Sequence, residues 1–535
     1  LDFNNIFCGK NQGFMKKNKV ILKNMSSVSL GIVISRILGY LRDMFVASIF
    51  GAGFYADAFY AAFRIPNLFR RLFGESSLNA AFVPVFAEYV KKEQKEKVEE
   101  FISATTTVLV VLLFSITLLG IIFSLPITKL ITWGFTQKKL LLTSQLLQIM
   151  FPYMIFICLA ALCLSILNCL KIFFVPAMSS ASLSITEILF ILLIAYYLPE
   201  EQRVFGLAIS VLLGGVLQFV INFLMVNREY KIRINLKEFL NYIKLPDIKK
   251  IYILFIPVVV GFSIDQINAL VDTLCASFLK EGSITALYYS NRLMQLPLAL
   301  FGISLTTVIL PQMSQEATEN NFDELKQTIL YSLRNILYFN LPASLGLIIL
   351  GKPIIKTLFE HGRFTSEATS ITYLCLAFYS LGLIFFSSTK IFTSMFYALK
   401  QPSYPVKIAG YVVFLNIVLN VILMQFLQAG GLALATSISS SVASLLLYKR
   451  IKKILSFSIS QLKSYFLKIF LINFIFAIFL FMFKFFIKNS FVLTFVGVFG
   501  GVIIYFFLTK LFKIEETKII SNFLQRFLPF YPFYD

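Results

Sequence analysis

Apolar stretches of about twenty residues recur from one end of this chain to the other, and no other feature constrains the fold as strongly. Hydrocarbon offers no water to backbone N–H and C=O groups, so a segment that crosses it must pair them internally, as a helix. About fourteen spans follow, at 24–49, 54–74, 98–125, 141–169, 173–197, 203–226, 250–279, 284–312, 326–350, 367–397, 405–427, 431–448, 464–486 and 490–511. The fold class is therefore an all-α polytopic membrane protein. A hydrophobic content of 58% with 60 Phe excludes a soluble domain of this length, and no connector is long enough to hold one.

The net charge of +21 is distributed by connector. Lys16, Lys17, Lys19 and Lys23 precede the first span, and Lys91, Lys92, Lys95 and Lys97 precede the third. Basic residues return at Arg228, Lys231, Arg233, Lys237, Lys244, Lys249 and Lys250, and again at Lys449, Arg450, Lys452 and Lys453. The connectors 51–53 and 428–431 carry none. Alternation of this kind is the positive-inside pattern, with both termini cytoplasmic, rather than a nucleic-acid patch. Six cysteines form no CxxC and indicate neither zinc nor a disulfide framework. The first fourteen residues do not read as a cleavable signal.

The chain also repeats itself at an offset of about 228 residues. Asp43 with Ala47-Ser48 meets Asp272 with Ala276-Ser277, Leu72-Phe73-Gly74 meets Leu300-Phe301-Gly302, and Leu170-Lys171 meets Leu399-Lys400. Trp133 and His361 fall at matching positions. Each half has an even number of helices, so the halves enter the membrane from the same side. They are parallel repeats, an architecture of transporters that work by alternating access. The domains expected are a cytoplasmic tail (1–23), a six-helix N-lobe (24–226) and a basic linker (227–249). A six-helix C-lobe (250–453) follows, then an appended pair with the C-terminal tail (454–535). That pair is Phe-rich (Phe470, Phe474, Phe476, Phe479), suited to lipid or to an apolar groove.

Against this background, charged residues inside the spans stand out. Arg36 and Arg42 interrupt the first apolar run, and Arg64, Arg70 and Arg71 the second. Placing such a charge at bilayer depth costs about 3 kcal/mol or more, so it usually faces a polar cavity or a substrate path. Arg36 and Asp43, at i and i+7, share a helix face, as do Arg64 and Arg71 with Pro66 between them. Arg292 is the repeat mate of Arg64. Guanidinium forks suit a phosphorylated or pyrophosphate ligand in a central cavity. Snorkelling to the headgroups is the competing reading, strongest for Arg70 and Arg71. Asp43, Asp57, Glu75 and Asp272 are expected to pair with the arginines or to form static ion pairs that fix helix packing. Asp57 also reads as an exposed turn residue. Asp272, Asn416 and Asn420 (i, i+4) and Thr436 offer hard oxygen ligands for Na⁺, or Asp272 alone carries a proton. Interhelical hydrogen bonding competes there. Glu187, the repeat mate of Asn416, is the oddest residue of its span and has no assigned role. His361 reads as interfacial. Nothing has the spacing of a Walker loop, a nucleophile elbow or a paired-His metal site, so the chain reads as a transporter without a cofactor, not an enzyme.

These residues, taken with the motifs around them, resemble the MurJ (MviN) lipid II flippases, relatives of the MATE exporters. The resemblance runs from about Ser26 onward. It is carried by Ser35-Arg36-Ile-Leu-Gly39-Tyr-Leu-Arg42-Asp43, Phe50-Gly51-Ala52-Gly53, Asp57-Ala58-Phe59 and Arg64-Ile-Pro66-Asn67-Leu68-Phe-Arg70-Arg71. Ala81-Phe82-Val83-Pro84, Tyr288-Tyr289-Ser-Asn-Arg292 and Phe396-Tyr397-Ala398-Leu399 continue it. The resemblance implies lipid II, the undecaprenyl-pyrophosphate-linked peptidoglycan precursor, as substrate. It also implies a bacterial inner-membrane location, and cell-wall synthesis or division proteins as partners. It places the family's cavity arginines at Arg36, Arg42, Arg70 and Arg292, and its acidic partners at Asp43, Asp57 and Glu75. Arg64 stands where Lys is common, and Lys390 at a basic position. The last two helices match a pair that holds the lipid tail, and the family's cation site falls on Asp272, Asn416, Asn420 and Thr436. Exporters of another lipid-linked oligosaccharide, or of drugs by cation antiport, are the alternative. A drug exporter would favour acidic and aromatic cavity residues over arginines. A membrane glycosyltransferase would need a large extramembrane loop, and a non-transporting scaffold would tolerate loss of the arginines.

Overall fold

The computed structural model describes residues 31, 33–72, 78–92, 94–456, 458 and 462–518. Among them there is no strand. Helix α1 covers residues 33–50, followed by α2 (Phe54–Phe69), α3 (Leu78–Lys92), α4 (Lys95–Ile122), α5 (Ser124–Ile131), α6 (Gln137–Met150) and α7 (Tyr153–Cys169). Next come α8 (Phe174–Ser179), α9 (Ser182–Leu193), α10 (Glu200–Glu229), a short α11 (Phe239–Lys244) and α12 (Pro246–Ser277). The remainder are α13 (Ser283–Pro297), α14 (Ser304–Thr318), α15 (Phe322–Phe359), α16 (Ser366–Ala398), α17 (Ser403–Leu427), α18 (Ala429–Leu455), α19 (Lys463–Phe486), α20 (Ser490–Phe495) and α21 (Gly501–Leu511). Eleven helical stretches among the described residues are long and apolar enough to cross a membrane, and each overlaps an expected span. The chain is a multi-pass membrane protein. Helix α3 was not anticipated, its residues reading as connector between the second and third spans.

The contacts divide the chain into two units. The first runs through Ile49 and from Phe54 to Gln266; the second takes Phe50–Gly53 and everything from Ile267. In the first, close packing depends on missing side chains. A Cβ at Gly214 of α10 would lie 2.7 Å from Leu183 Cα of α9, and one at Gly215 would lie 2.5 Å from the Tyr153 ring of α7. The basic linker is stapled to α4. Backbone N–H groups of Lys231, Arg233 and Asn235 donate to Glu99 Oε1, Ser103 Oγ and Thr107 Oγ1 at 3.0, 3.0 and 3.2 Å. Two residues of extended chain advance about 6.6 Å and one helical turn of four residues about 6 Å, so the two registers match.

In the second unit, α15 begins at Asn321, whose side chain accepts from Glu324 N, and α16 at Thr365, which accepts from Ala368 N. Phe476 of α19 is buried with Leu480, Tyr505 and Leu350, while Phe470 and Phe474 face outward. Past α21 the chain turns back onto α15. Arg334 lies 2.6 Å from Glu515 and 2.7 Å from the buried Glu516, with its guanidinium over the Tyr465 ring. This clasp ties the appended helices to the second unit.

The internal repeat is written into the backbone of each unit. Lys171 and Lys400 both adopt positive φ, 63° and 56°. Around the first, Leu170 N, Lys171 N and Ile172 N donate to Ile166 O, Asn168 O and Leu167 O. Around the second, Leu399 N, Lys400 N and Gln401 N donate to Met395 O, Tyr397 O and Phe396 O, the same pattern about 229 residues on. Helices α2, α6, α8 and α10 likewise start about 229 residues before α13, α16, α17 and α18. A widened π turn occurs at residues 70–72 and again at Leu298–Ile303, both at the repeated Leu-Phe-Gly motif.

Candidate functional site

The first unit gathers its charge on α1, α2, α6 and α9. Arg42 is only 7% exposed and Asp43 1%. Arg42 Nε and Nη2 both donate to Asp43 Oδ1, at 3.0 and 2.7 Å, and Nη1 lies 3.5 Å from Glu187 Oε1. Glu187 is itself buried on α9, the helix that Gly214 allows α10 to approach. A guanidinium held between two carboxylates supplies what each buried acid needs, since an unpaired charge at this depth is costly. The residue without a role in the sequence is thus a second partner of Arg42. Arg36, one and a half turns earlier on α1, is exposed.

Asp57 is buried rather than exposed in a turn. It sits in the first turn of α2 and accepts from Lys139 Nζ at 3.1 Å. Lys139 is buried too, with Nζ 4.5 Å from the Phe135 ring centre and 5.6 Å from that of Phe54. Sequence reasoning missed Lys139. The available signal was its position on a connector that the positive-inside pattern assigns to the outer side, where lysine is disfavoured. Arg64, Arg70 and Arg71 are half-buried, and Arg70 Nε donates to Asn67 Oδ1 at 3.1 Å at the entry to the widened turn. Glu75 lies outside the described residues.

The second unit carries Arg292, half-buried on α13 just before the other widened turn, and Lys390, exposed on α16. The oxygen-rich set comes together as a chain across α12, α17 and α18. Asn420 Nδ2 donates to Asp272 Oδ1 at 2.7 Å and to Asn416 Oδ1 at 3.0 Å, and Asn416 Nδ2 reaches Thr436 Oγ1 at 3.4 Å. Both asparagines are fully buried, and Asn420 Oδ1 has no hydrogen-bond partner. The carboxylate, amide and hydroxyl oxygens of this chain are of the hard kind that suits a small cation, and here they are linked by hydrogen bonds between helices. No group of three or more His, Cys, Asp or Glu suited to a metal occurs among the described residues. His361, two residues past the end of α15, is exposed, with its Nε2 2.9 Å from Thr357 O.

The chain is similar to known proteins over most of its length. The family described as Lipid II flippase MurJ matches residues 46–500. A probable lipid II flippase MurJ of Buchnera aphidicola subsp. Schizaphis graminum is 37% identical over 444 residues, covering 82% of this chain and 85% of the relative. One of Vibrio cholerae serotype O1 is 39% identical, covering 81% and 83%. A solved structure described as lipid II flippase MurJ in an inward closed conformation superposes with a TM-score of 0.77 at 30% identity, covering 92% of this chain and 99% of that one. An inward-facing MATE family multidrug transporter of the MOP superfamily shares the fold, with a TM-score of 0.66 at 16% identity over 81% and 98% of the two chains. The match extends over most of the chain and its fold is shared with a MATE family transporter, and the chain belongs to the MurJ family of lipid II flippases.

Proposed function

We propose that this chain flips lipid II from the cytoplasmic to the outer leaflet of the bacterial cytoplasmic membrane, by alternating access and with both termini cytoplasmic. Family membership supports the substrate. The observation that carries the chemistry is the placement of Arg36, Arg64, Arg70 and Arg292 on or beside apolar helices with side chains that are not fully buried. A diphosphate needs fixed positive charge where water is scarce, and guanidinium forks supply it with directional donors. The polyprenyl tail stays in lipid, so only the headgroup crosses. An inside-negative potential favours outward movement of negative charge by about 2.3 kcal/mol per charge per 100 mV.

Asp272, Asn416, Asn420 and Thr436 would hold Na⁺ in the second unit, and its binding would be the coupling event. The orphaned Asn420 Oδ1 favours this reading over simple hydrogen bonding between helices. Leaflet-specific accessibility of labelled lipid II, in cells depleted of their own flippase, tests the function. Arg292→Ala should lower translocation by about tenfold or more while the protein still inserts, as removal of a charge-assisted phosphate contact requires. Undiminished translocation would refute the assignment.

A further inference from the structure

The buried pair on α2 and α6 carries an inference beyond substrate binding. Asp57 and Lys139 are 2% and 4% exposed, and their 3.1 Å contact joins the first turns of two helices separated by 82 positions in the chain. The two helix ends treat the pair unequally. Asp57 lies where the α2 dipole favours an anion. Lys139, third residue of α6, lies where the α6 dipole opposes a cation, and the Thr136 side chain caps nothing. Lys139 is held by Asp57 and by the faces of Phe135 and Phe54. Loss of Asp57 therefore leaves Lys139 against an opposing helix dipole, whereas loss of Lys139 leaves Asp57 with a favourable one.

We propose that Asp57 acts through Lys139, as a positioning residue that ties the first turn of α2 to the first turn of α6, and that it is not a ligand of the transported lipid. The flipping measurements that test this rest on the function proposed above; the stability and labelling measurements do not. Replacing both members of a buried ion pair is far better tolerated than removing one, because no unpaired charge is left behind.

Asp57→Asn and Lys139→Gln should each lower flipping by about tenfold and lower Tm, Asp57→Asn the more severely. The double variant Asp57→Asn/Lys139→Gln should recover flipping to within about threefold of the parent, a non-additivity that a structural pair requires. Lys139→Arg should keep activity. A double variant that inserts with the Tm of the parent and flips no better than Asp57→Asn overturns the proposal, because a substrate ligand is not restored by losing its neighbour. Should the variants fail to insert, the parent protein decides. Lysine acetylation in proteoliposomes, read by mass spectrometry, should find Lys139 equally protected with and without added lipid II. Several-fold faster labelling on adding lipid II would mean that Asp57 leaves Lys139 for the substrate, and would overturn it. A parent that flips no lipid II but keeps Lys139 protected and the stability coupling intact would instead refute the function alone.

Discussion

The two units finish the same repeat position in opposite ways. Asp43 and Asp272 are matched by the repeat, as are Glu187 and Asn416. In the first unit the two acids close on Arg42. In the second, Val271 stands where Arg42 would be, and Asp272 meets Asn420, Asn416 and Thr436 through amide and hydroxyl groups. One unit carries its cation covalently, while the other offers oxygens and a buried amide with a lone pair to spare. The repeat keeps the helical frame and one carboxylate, while the residue beside that carboxylate is charged in one unit and apolar in the other. A tethered guanidinium neutralises buried acids permanently. Amide and hydroxyl groups bring hydrogen bonds without a charge of their own.

The comparison breaks most sharply at Arg42. Arg42→Ala leaves Asp43 and Glu187 buried without their shared cation and should cost about 3–5 kcal/mol, seen as a large fall in Tm and lost flipping. Adding Glu187→Gln should return part of the stability, since one of the two acids that face Arg42 is then neutral. A parent-like Tm for Arg42→Ala would show that the acids were never dependent on it. Asp272 supplies the next largest effect. The parent should gain about 1–3 kcal/mol of thermal stability when choline is replaced by Na⁺ at saturating concentration, and Asp272→Asn should abolish the gain. A Na⁺ response that survives Asp272→Asn would move the cation elsewhere. The smallest effect sharpens the repeat itself. Lys171→Gly and Lys400→Gly each relieve a left-handed backbone and should raise stability by about 1 kcal/mol, equally in the two units. Unequal shifts in unfolding midpoint would mean that the two turns are not energetic equivalents.

Much of this was readable beforehand. The eleven long apolar helices lie on expected spans because hydrocarbon thickness and backbone pairing leave few alternatives. The oxygen-rich set on three helices was named residue by residue, and it assembled. Legibility failed for charges whose partners are distant in the chain. Glu187 was conspicuous in an apolar helix, yet its partner on α1 could not be named, and Lys139 passed as a connector residue. Periodicity locates a side chain on one face of its own helix and is silent about which helix that face meets.

The amino-acid order alone determined the class of molecule, the placement of eleven spans, the internal duplication and the membership in a lipid-flipping family. Each of these depends on local hydropathy, charge alternation or self-similarity, which require no knowledge of neighbours. Tertiary structure decided which buried charges answer one another: Arg42 with Glu187 as well as Asp43, Asp57 with Lys139, and Arg334 with the returning Glu516. An ion pair needs its atoms within about 4 Å of one another, so for partners on different helices only the packing of helices could set it.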